Sequence, residues 1–377
     1  MIKIKLKKNI GYLVAYFFSW LLRKILGMII QAKFSINPVY VYLYLMVLGE
    51  IMGGLLIYLY QYNSKKKRKK IRYFGIDLIY NKNTVGDNDF QIAFLIFLAS
   101  FFDVFSYIHG TIFFPKEFSS CVDMRLYCTQ TIASALIFIY VLKYKMKKHH
   151  KFSLIALSLC LLLTIIIDGV FKANNITLEK FCFAYFIILF KDFCLSINNC
   201  IEKYLVDTNY INPFKVLSFE GLFGIIFSIL ASLGHDDLFK EIIDKYKEKD
   251  LGEFILLIFL LFLSFILSMI LNAYKVYANI IFSPMERSLI NYIFNPLFNI
   301  YYFVVRVDFN NNYYSFFLSE FICIIISFFG CIYNEYIILS YYNLDLETNY
   351  AIKKRATYIE NIPSQNIDDL SSNFDED

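Results

Sequence analysis

The sequence lacks the short motifs that mark the common enzyme classes. It contains no G-x-S-x-G of serine hydrolases and no H-E-x-x-H of zinc peptidases. Its eight cysteines include no C-x-x-C pair, so neither a zinc site nor a disulfide framework is indicated. We therefore expect a protein that is not an enzyme and that holds neither a metal nor another cofactor.

The sequence also has too few polar residues to cover the surface of a water-soluble protein. Hydrophobic residues make up 58% of the chain, aromatic residues 19%, and the mean hydropathy is +0.52, whereas about 45–50% apolar residues is typical of soluble domains. A soluble chain of this composition would expose large apolar patches, so we expect the lipid bilayer to cover them. Most basic residues stand in short tracts between apolar runs, which argues against nucleic acid as a partner.

The apolar residues fall into repeated runs of about 20 residues, the length that crosses a bilayer. These runs are continuous rather than alternating, which favours helices over barrel strands. The first run has the composition of a signal peptide, but Arg23 and Lys24 follow it and no small-residue cleavage site is present. It is either an uncleaved first span or an amphipathic helix in the membrane interface. The predicted spans are about ten, at 10–30, 39–61, 91–110, 118–142, 152–171, 181–201, 214–234, 253–275, 282–305 and 316–341.

Alternate loops carry most of the Lys and Arg residues, as the positive-inside rule requires. The basic loops include the tracts at 65–70, 143–151 and 353–355. Ten spans place both termini and the polar tail, 342–377, on the cytosolic side, whereas nine would move the later basic loops to the opposite side. We therefore predict an all-α, multi-pass integral membrane protein with cytosolic ends.

Several spans contain ionisable or polar residues, which are costly in lipid and need a partner or a cavity. These residues recur at helical spacing on the same face as other polar residues, which predicts a wet, polar interior. The alternative is that they only bridge helices in a packed bundle. The candidate cavity residues are Glu50, Asp103, Arg125, Lys191, Asp192, Asn199, Glu220, Arg287 and Asn291.

Other titratable residues stand at the ends of spans or in loops. Asp168 and Glu202 lie at span ends, where we expect a solvated or interfacial carboxylate. His149 and His150 lie in a basic loop, which disfavours a metal role.

The two halves of the chain share a weak internal similarity. Glu50 and Gly54 in the second span match Glu220 and Gly224 in the seventh as Glu-x-x-x-Gly. Small residues let helices approach each other closely in membranes. The glycines expected at helix contacts are Gly49, Gly53, Gly54, Gly221 and Gly224.

An odd number of spans in each half would insert the second half upside down. We predict a first five-helix repeat at 1–171 and an inverted second repeat at 181–341. A Ser…Arg pair recurs in the fourth and ninth spans, and it places Arg125 and Arg287 near opposite mouths of a central cavity. Arginines in those places would attract and anchor an anion.

One longer motif resembles a known family. Glu202-Lys203, followed by NPFKVLSFEGLFG at 212–224, resembles the signature of the EamA-like drug/metabolite transporter superfamily. The resemblance is closer to the F branch of solute carrier family 35, sixth-member type, which is grouped with nucleotide-sugar transporters. Supporting matches, in the same order along the chain, are LGE at 48–50, Asp103, SS-x4-R at 119–125, S-x-x-x-R at 283–287 and Tyr333-Asn334.

The resemblance implies ten helices in two inverted repeats that transport a solute by alternating access. The chain departs from the family pattern in ways that leave the charge of the cavity open. These departures are at Leu126, Asn291, Asn295 and Pro296.

The leading hypothesis is a secondary transporter, an exchanger or uniporter, of a small polar, anionic organic solute such as a nucleotide sugar. The alternative, motivated by the departures in the ninth span, is a non-transporting structural or adaptor subunit derived from a transporter. The resemblance implies an endomembrane location, in the lysosome or vacuole, the Golgi or the mitochondrion. Whether the protein forms a homodimer stays open.

Overall fold

The fold is almost entirely helical. The computed structural model describes residues 2–4, 10–34, 39–66, 89–112, 126, 128–141, 143, 146–172, 177–207, 209, 211–233, 251–289, 313–341, 344–349 and 351–352. The helices are α1 (Gly11–Phe34), α2 (Val39–Lys66), α3 (Asp89–Ile112), α4 (Cys128–Tyr140), α5 (Lys148–Lys172), α6 (Leu178–Asp207), α7 (Pro213–Ser232), α8 (Leu251–Ile281) and α9 (Tyr313–Tyr333). Residues 284–289 are also helical, and two short strands are β1 (Ile2–Ile4) and β2 (Ile337–Leu339).

Seven of the described helices are long and apolar enough to cross a membrane, namely α1, α2, α3, α5, α6, α7 and α8. The apolar parts of α4 and α9 are shorter. The prediction of a helical fold with several helices of membrane-spanning length is therefore confirmed, and these helices are compatible with a multi-pass membrane protein. The predicted ninth span, 282–305, lies mostly outside the described residues, and so does the start of the fourth, at 118–125.

The outer surface of the helices is apolar, as lipid contact requires. On α5 the exposed positions recur every three or four residues and so form one face of the helix. These positions are Ile155, Leu159, Leu162, Leu163 and Ile166.

The first helix packs along the length of α8. Leu26 and Ile30 of α1 are buried beside Leu257, near the start of α8. Leu13, several turns before Leu26, is buried beside Ala278 near the end of α8. The two helices therefore run antiparallel within the bundle, which favours a first span over a helix that lies in the membrane interface.

Glycines bring the backbones of α2 and α7 into contact. A Cβ atom added at Gly54 would lie 2.7 Å from the carbonyl oxygen of Phe214, and one added at Gly221 would lie 2.9 Å from the amide nitrogen of Ile51. Later residues of α2 thus meet earlier residues of α7, so these helices are antiparallel. We term this contact, with Gly54, Gly221 and Gly224 at its centre, the glycine seam.

Two more glycines of α2 face α8 instead. A Cβ atom added at Gly49 would lie 2.9 Å from the Cβ atom of Ser268, and one at Gly53 would lie 3.1 Å from the Met269 carbonyl oxygen. Helix α2 therefore lies between α7 and α8, with small residues toward both.

The start of α7 follows from an Asn-Pro turn. The Asn212 side chain accepts a hydrogen bond from the Phe214 N–H at 2.9 Å and so caps the helix. Pro213 occupies the first turn, where its missing N–H leaves no hydrogen bond unmade. The Asn212 side chain also donates to Gln61 of α2 at 2.8 Å. This turn fixes α7 against α2 about two helical turns before Glu220.

Two short strands that are far apart in the sequence pair with each other. Strands β1 and β2 pair antiparallel, with Ile2 opposite Leu339 and Ile4 opposite Ile337. After β2, the chain returns to the start of α5, where the Lys148 N–H donates to the Glu347 carboxylate at 2.8 Å.

Candidate functional site

A cavity of about 140 Å³ lies between six helices and the segment 284–289. Its charged lining residues are three basic and two acidic, namely Arg23, Lys275, Arg287, Glu50 and Asp103. Its other lining residues are Tyr16, Trp20, Met46, Gln130, Leu195, Leu271, Asn272 and Ser288. Ionisable groups in membrane-spanning helices are costly, and their convergence on one space is typical of a functional site. We term this space the central cavity.

Lys275 connects three helices at the wall of the central cavity. Its Nζ atom lies 2.6 Å from Oε1 of Glu202 in α6 and 3.9 Å from Oδ1 of Asp103 in α3. Lys275 is 7% exposed and Glu202 is 6% exposed. Because neither group is hydrated, each depends on the other for its charge to be tolerated.

Arg287 is held mainly by amide side chains. Its Nη1 atom donates to Asn279 at 2.8 Å, and its Nη2 atom donates to Asn199. Glu202 lies 3.8 Å from Nη1, and the Tyr16 ring lies 5.9 Å from the guanidinium carbon. The amides orient the guanidinium, and Glu202 balances part of its charge at a longer distance, while Arg287 also lines the central cavity.

The two acidic lining residues come from two helices, Glu50 from α2 and Asp103 from α3. Asn198 donates to Asp103 Oδ1 at 3.1 Å. Two nearby carboxylates repel each other, and a nearby cation relieves this repulsion. Lys275, 3.9 Å from Asp103, supplies such a cation, so acidic and basic groups lie side by side in the wall of the cavity.

Four other predicted residues within the described part of the chain do not line the central cavity, namely Lys191, Asp192, Asn199 and Glu220. Glu220 is buried and lines a separate small space beside Glu202. Asp192 of α6 is fully buried, accepts a hydrogen bond from Thr129 of α4 and lies 3.8 Å from Lys191. The hydrogen bond from Thr129 makes Asp192 a link between α6 and α4, as the bundle-bridging alternative expects.

Of the remaining predicted residues, Asn199 contacts Arg287 as described. Arg125 and Asn291 lie outside the described residues. Of the predicted pair of arginines, only Arg287 lies within the described residues.

Two carboxylates that were expected to be solvated or interfacial are buried, so that expectation is wrong. Asp168 has no exposed surface and accepts a hydrogen bond from the Tyr185 hydroxyl. Glu202 carries the ion pair with Lys275. Both lie near the ends of apolar runs, but neighbouring helices cover those ends.

Sequence reasoning also missed most of the lining from α8. The predicted span ends at 275, whereas α8 continues to Ile281. Hydropathy ends a predicted span at its first charged residue. Inside a helix bundle, however, the charged side chain points inward and pairs with a residue of opposite charge, as Lys275 does with Glu202. The available signal was the spacing of Asn272, Lys275 and Asn279, which places all three on one helix face.

No protein-family model matches the chain, and no curated protein matches its sequence. A solved structure described only as the crystal structure of a protein is similar in fold. The TM-score is 0.53 at 11% sequence identity, and the match covers 86% of this chain and 96% of the other. At this identity the similarity concerns the fold alone.

Proposed function

We propose that this protein is a secondary transporter, an exchanger or uniporter, that moves a small polar solute with an anionic group by alternating access. The observation that carries this proposal is the convergence of five charged side chains on the central cavity. Arg23, Lys275 and Arg287 would bind a carboxylate or phosphate of the solute. Glu50 and Asp103 would suit a cationic group on the same solute, such as an amine.

The size of the cavity favours the smaller members of this solute class. Its volume of about 140 Å³ is close to that of an engineered cavity of about 150 Å³ that holds one benzene molecule. An amino acid or a small organic acid fits such a space. A nucleotide sugar is several times larger and would require a wider conformation.

The helix contacts support the proposal of two inverted repeats. Exchanging the two repeats, 1–171 and 181–341, maps α1 onto α6 and α3 onto α8. The contact of α1 with α8 then corresponds to the contact of α6 with α3, and both contacts are present. The contact of α2 with α8 becomes that of α7 with α3, and both are again made. The same exchange maps α2 onto α7 and α5 onto α9. The contact of α2 with α7 and the contact of α5 with α9 therefore each map onto themselves. This pattern is the one expected for repeats related by a two-fold axis in the membrane plane.

The resemblance to solute carriers also supports an endomembrane location with cytosolic termini. A fluorescent tag on the C-terminus tests this. It should colocalise with lysosomal, vacuolar, Golgi or mitochondrial markers and be digested by protease after selective permeabilisation of the plasma membrane. Protection of the tag would contradict the proposed orientation.

Transport is tested with purified protein in liposomes. The panel of labelled solutes should include amino acids, dicarboxylates, sugar phosphates and nucleotide sugars. We expect saturable uptake or exchange of at least one small anionic or zwitterionic solute. The informative variant is Arg23→Gln, because Arg23 is partly exposed and its described hydrogen bond, to the Tyr42 carbonyl oxygen, is long, at 3.4 Å. Its loss should lower uptake while leaving the buried ion pairs intact.

The matched control is Lys180→Gln, which removes an exposed positive charge at the start of α6. It should transport as the unmodified protein does. If Arg23→Gln and Arg287→Lys both transport normally, the central cavity is not the solute site. If the unmodified protein transports nothing and is extracted only within a large stable complex, the adaptor function replaces this proposal.

A further inference from the structure

Two histidines and a glutamate converge where α5 begins and α9 ends. The ligand atoms of His149, His150 and Glu335 all lie within 4.8 Å of one another. None of the three lines the central cavity. The sequence pattern predicts no metal here, because Glu335 is far from the histidines along the chain and the fold alone brings it to them.

The contact between His149 and Glu335 has the length expected of two ligands on one metal ion. Nε2 of His149 lies 3.4 Å from Oε1 of Glu335. Zinc binds nitrogen and oxygen ligands at about 2.0–2.2 Å with tetrahedral angles, which places two ligand atoms about 3.4 Å apart. His149 is 2% exposed, and neither of its ring nitrogens forms a hydrogen bond within the described part of the chain. The buried imidazole thus has ring nitrogens without a hydrogen-bond partner in the described residues, and one of them faces the Glu335 carboxylate.

The turn after α9 aims the Glu335 carboxylate at the histidines. Glu335 has a φ of 61°, a left-handed conformation that non-glycine residues seldom adopt. The Asn349 N–H donates to both carboxylate oxygens, at 3.0 and 3.1 Å. These two hydrogen bonds hold the carboxylate in place and leave the side of Oε1 that faces His149 available to an ion.

The histidines are held close together although they are consecutive on a helix. Consecutive helical side chains point about 100° apart, yet the two ring centroids are 4.1 Å apart. The Tyr333 ring packs on the second histidine, His150, with a centroid distance of 4.7 Å. This packing turns both imidazoles toward the end of α9.

We propose that His149, His150 and Glu335 form a binding site for a transition-metal dication, with Zn²⁺ the best match. Two imidazoles and one carboxylate suit zinc, whereas magnesium and calcium prefer sites made of oxygen atoms alone. Three protein ligands leave one position open for water or another ligand. The bound ion would join the start of α5 to the end of α9.

Lys147 is the competitor of the ion. Its Nζ atom lies 3.6 Å from Oε1 of Glu335 and donates to the Asn349 side chain at 2.7 Å. Because Asn349 also holds this ammonium, Lys147 does not depend on Glu335 alone. An ion bound at Oε1 would displace Lys147 from Glu335, and the positive charge of Lys147 would weaken the binding of that ion.

The test is zinc titration of the purified, metal-free full chain in detergent, by calorimetry and by thermal unfolding. We expect one Zn²⁺ per chain and a rise in the unfolding midpoint that the same concentration of Mg²⁺ does not produce. Co²⁺ should give the visible absorption of a tetrahedral site. Absence of stoichiometric zinc binding would overturn the proposal.

Three variants separate a metal site from a merely structural cluster. His150→Gln and Glu335→Gln should each weaken zinc binding at least about tenfold, since loss of even a supporting residue has that effect. Lys147→Gln should instead tighten binding, because it removes the competing charge and keeps a donor for Asn349. His109→Gln, at a histidine of α3, is the control and should bind zinc normally.

If Glu335→Gln does not fold, His150→Gln and Lys147→Gln decide between the two roles. Stoichiometric zinc binding that is unchanged in both would place the ion elsewhere and refute this site.

Discussion

The glycine seam and the central cavity share one helix but are built in opposite ways. In α2, Glu50 faces the cavity and Gly54, about one turn later, contacts the backbone of α7. At the seam, stability depends on the absence of side-chain volume. At the cavity, it depends on the balance of charge among largely buried side chains. The comparison teaches that one membrane helix can be sensitive to lost charge at one turn and to added atoms at the next turn of the same face.

This difference predicts which kind of substitution each region tolerates. A substitution that removes a charge but keeps the side-chain volume should lower the stability of the protein at the cavity and should not affect the seam. Addition of a single methyl group should be harmful at the seam. The following predictions test these two statements, from the largest expected effect to the smallest.

Removing the cation of the buried ion pair should have the largest effect. Lys275→Met keeps the length of the side chain but removes the short contact of 2.6 Å to Glu202, which is then left buried with only the longer contact to Arg287 at 3.8 Å. We expect a loss of about 3–5 kcal/mol in the free energy of unfolding. Denaturant or thermal unfolding in detergent measures this loss.

A second substitution sharpens the interpretation. Adding Glu202→Gln to Lys275→Met removes the buried charge of Glu202, so the double variant should be more stable than the single one. Lys180→Met, at an exposed lysine, should leave stability unchanged. A double variant that is less stable than Lys275→Met would show that charge balance is not what Lys275 provides.

A single added methyl group should disrupt the seam. In Gly221→Ala the new Cβ atom would lie 2.9 Å from both the Ile51 amide nitrogen and the Val47 carbonyl oxygen. Backbone atoms cannot move aside as a flexible side chain can, so the helices must separate. We expect a loss of about 1–3 kcal/mol, as for overpacked cores, measured as a lower unfolding midpoint.

The matched control for the seam is Gly252→Ala in α8. A Cβ atom there would have no neighbour within 4 Å, and alanine favours helix by up to about 1 kcal/mol over glycine. This variant should be as stable as the unmodified protein or slightly more so. Equal destabilisation by Gly221→Ala and Gly252→Ala would mean that close packing is not the cause.

A neutral polar contact near the cavity should matter least. Thr131 of α4 and Ser288 share a hydrogen bond of 2.6 Å, and Ser288 also donates to the Met285 carbonyl oxygen at 2.8 Å. Because Ser288 keeps a partner, Thr131→Val should cost only about 0.5–1.5 kcal/mol. An effect as large as that of Lys275→Met would erase the distinction between charged and neutral contacts in this region.

The sequence predicted the fold class and most helix positions, because repeated apolar runs of membrane length are typical of helices that cross a bilayer. It also predicted that Glu50, Asp103 and Arg287 face a common interior, since helical spacing places polar groups on one face. It did not predict the partners of Lys275 and Glu202. Each stands near the end of its apolar run, where hydropathy alone does not distinguish a solvated charge from a paired one.

Contacts between distant parts of the chain account for what the sequence did not predict. Glu335 meets His149 only because α5 and α9 pack together, and no local pattern encodes that contact. In the same way, Arg23 lines the central cavity only because α1 packs along α8. Local spacing identifies the polar face of one helix, but the choice of neighbouring helix comes from packing.

The pairing of β1 with β2 carries a topological consequence. Two strands that exchange hydrogen bonds must lie on the same side of a bilayer, and these strands stand at residues 2–4 and 337–339. An even number of spans between them, such as the ten that are predicted, is compatible with this pairing, whereas an odd number would place the two strands on opposite sides.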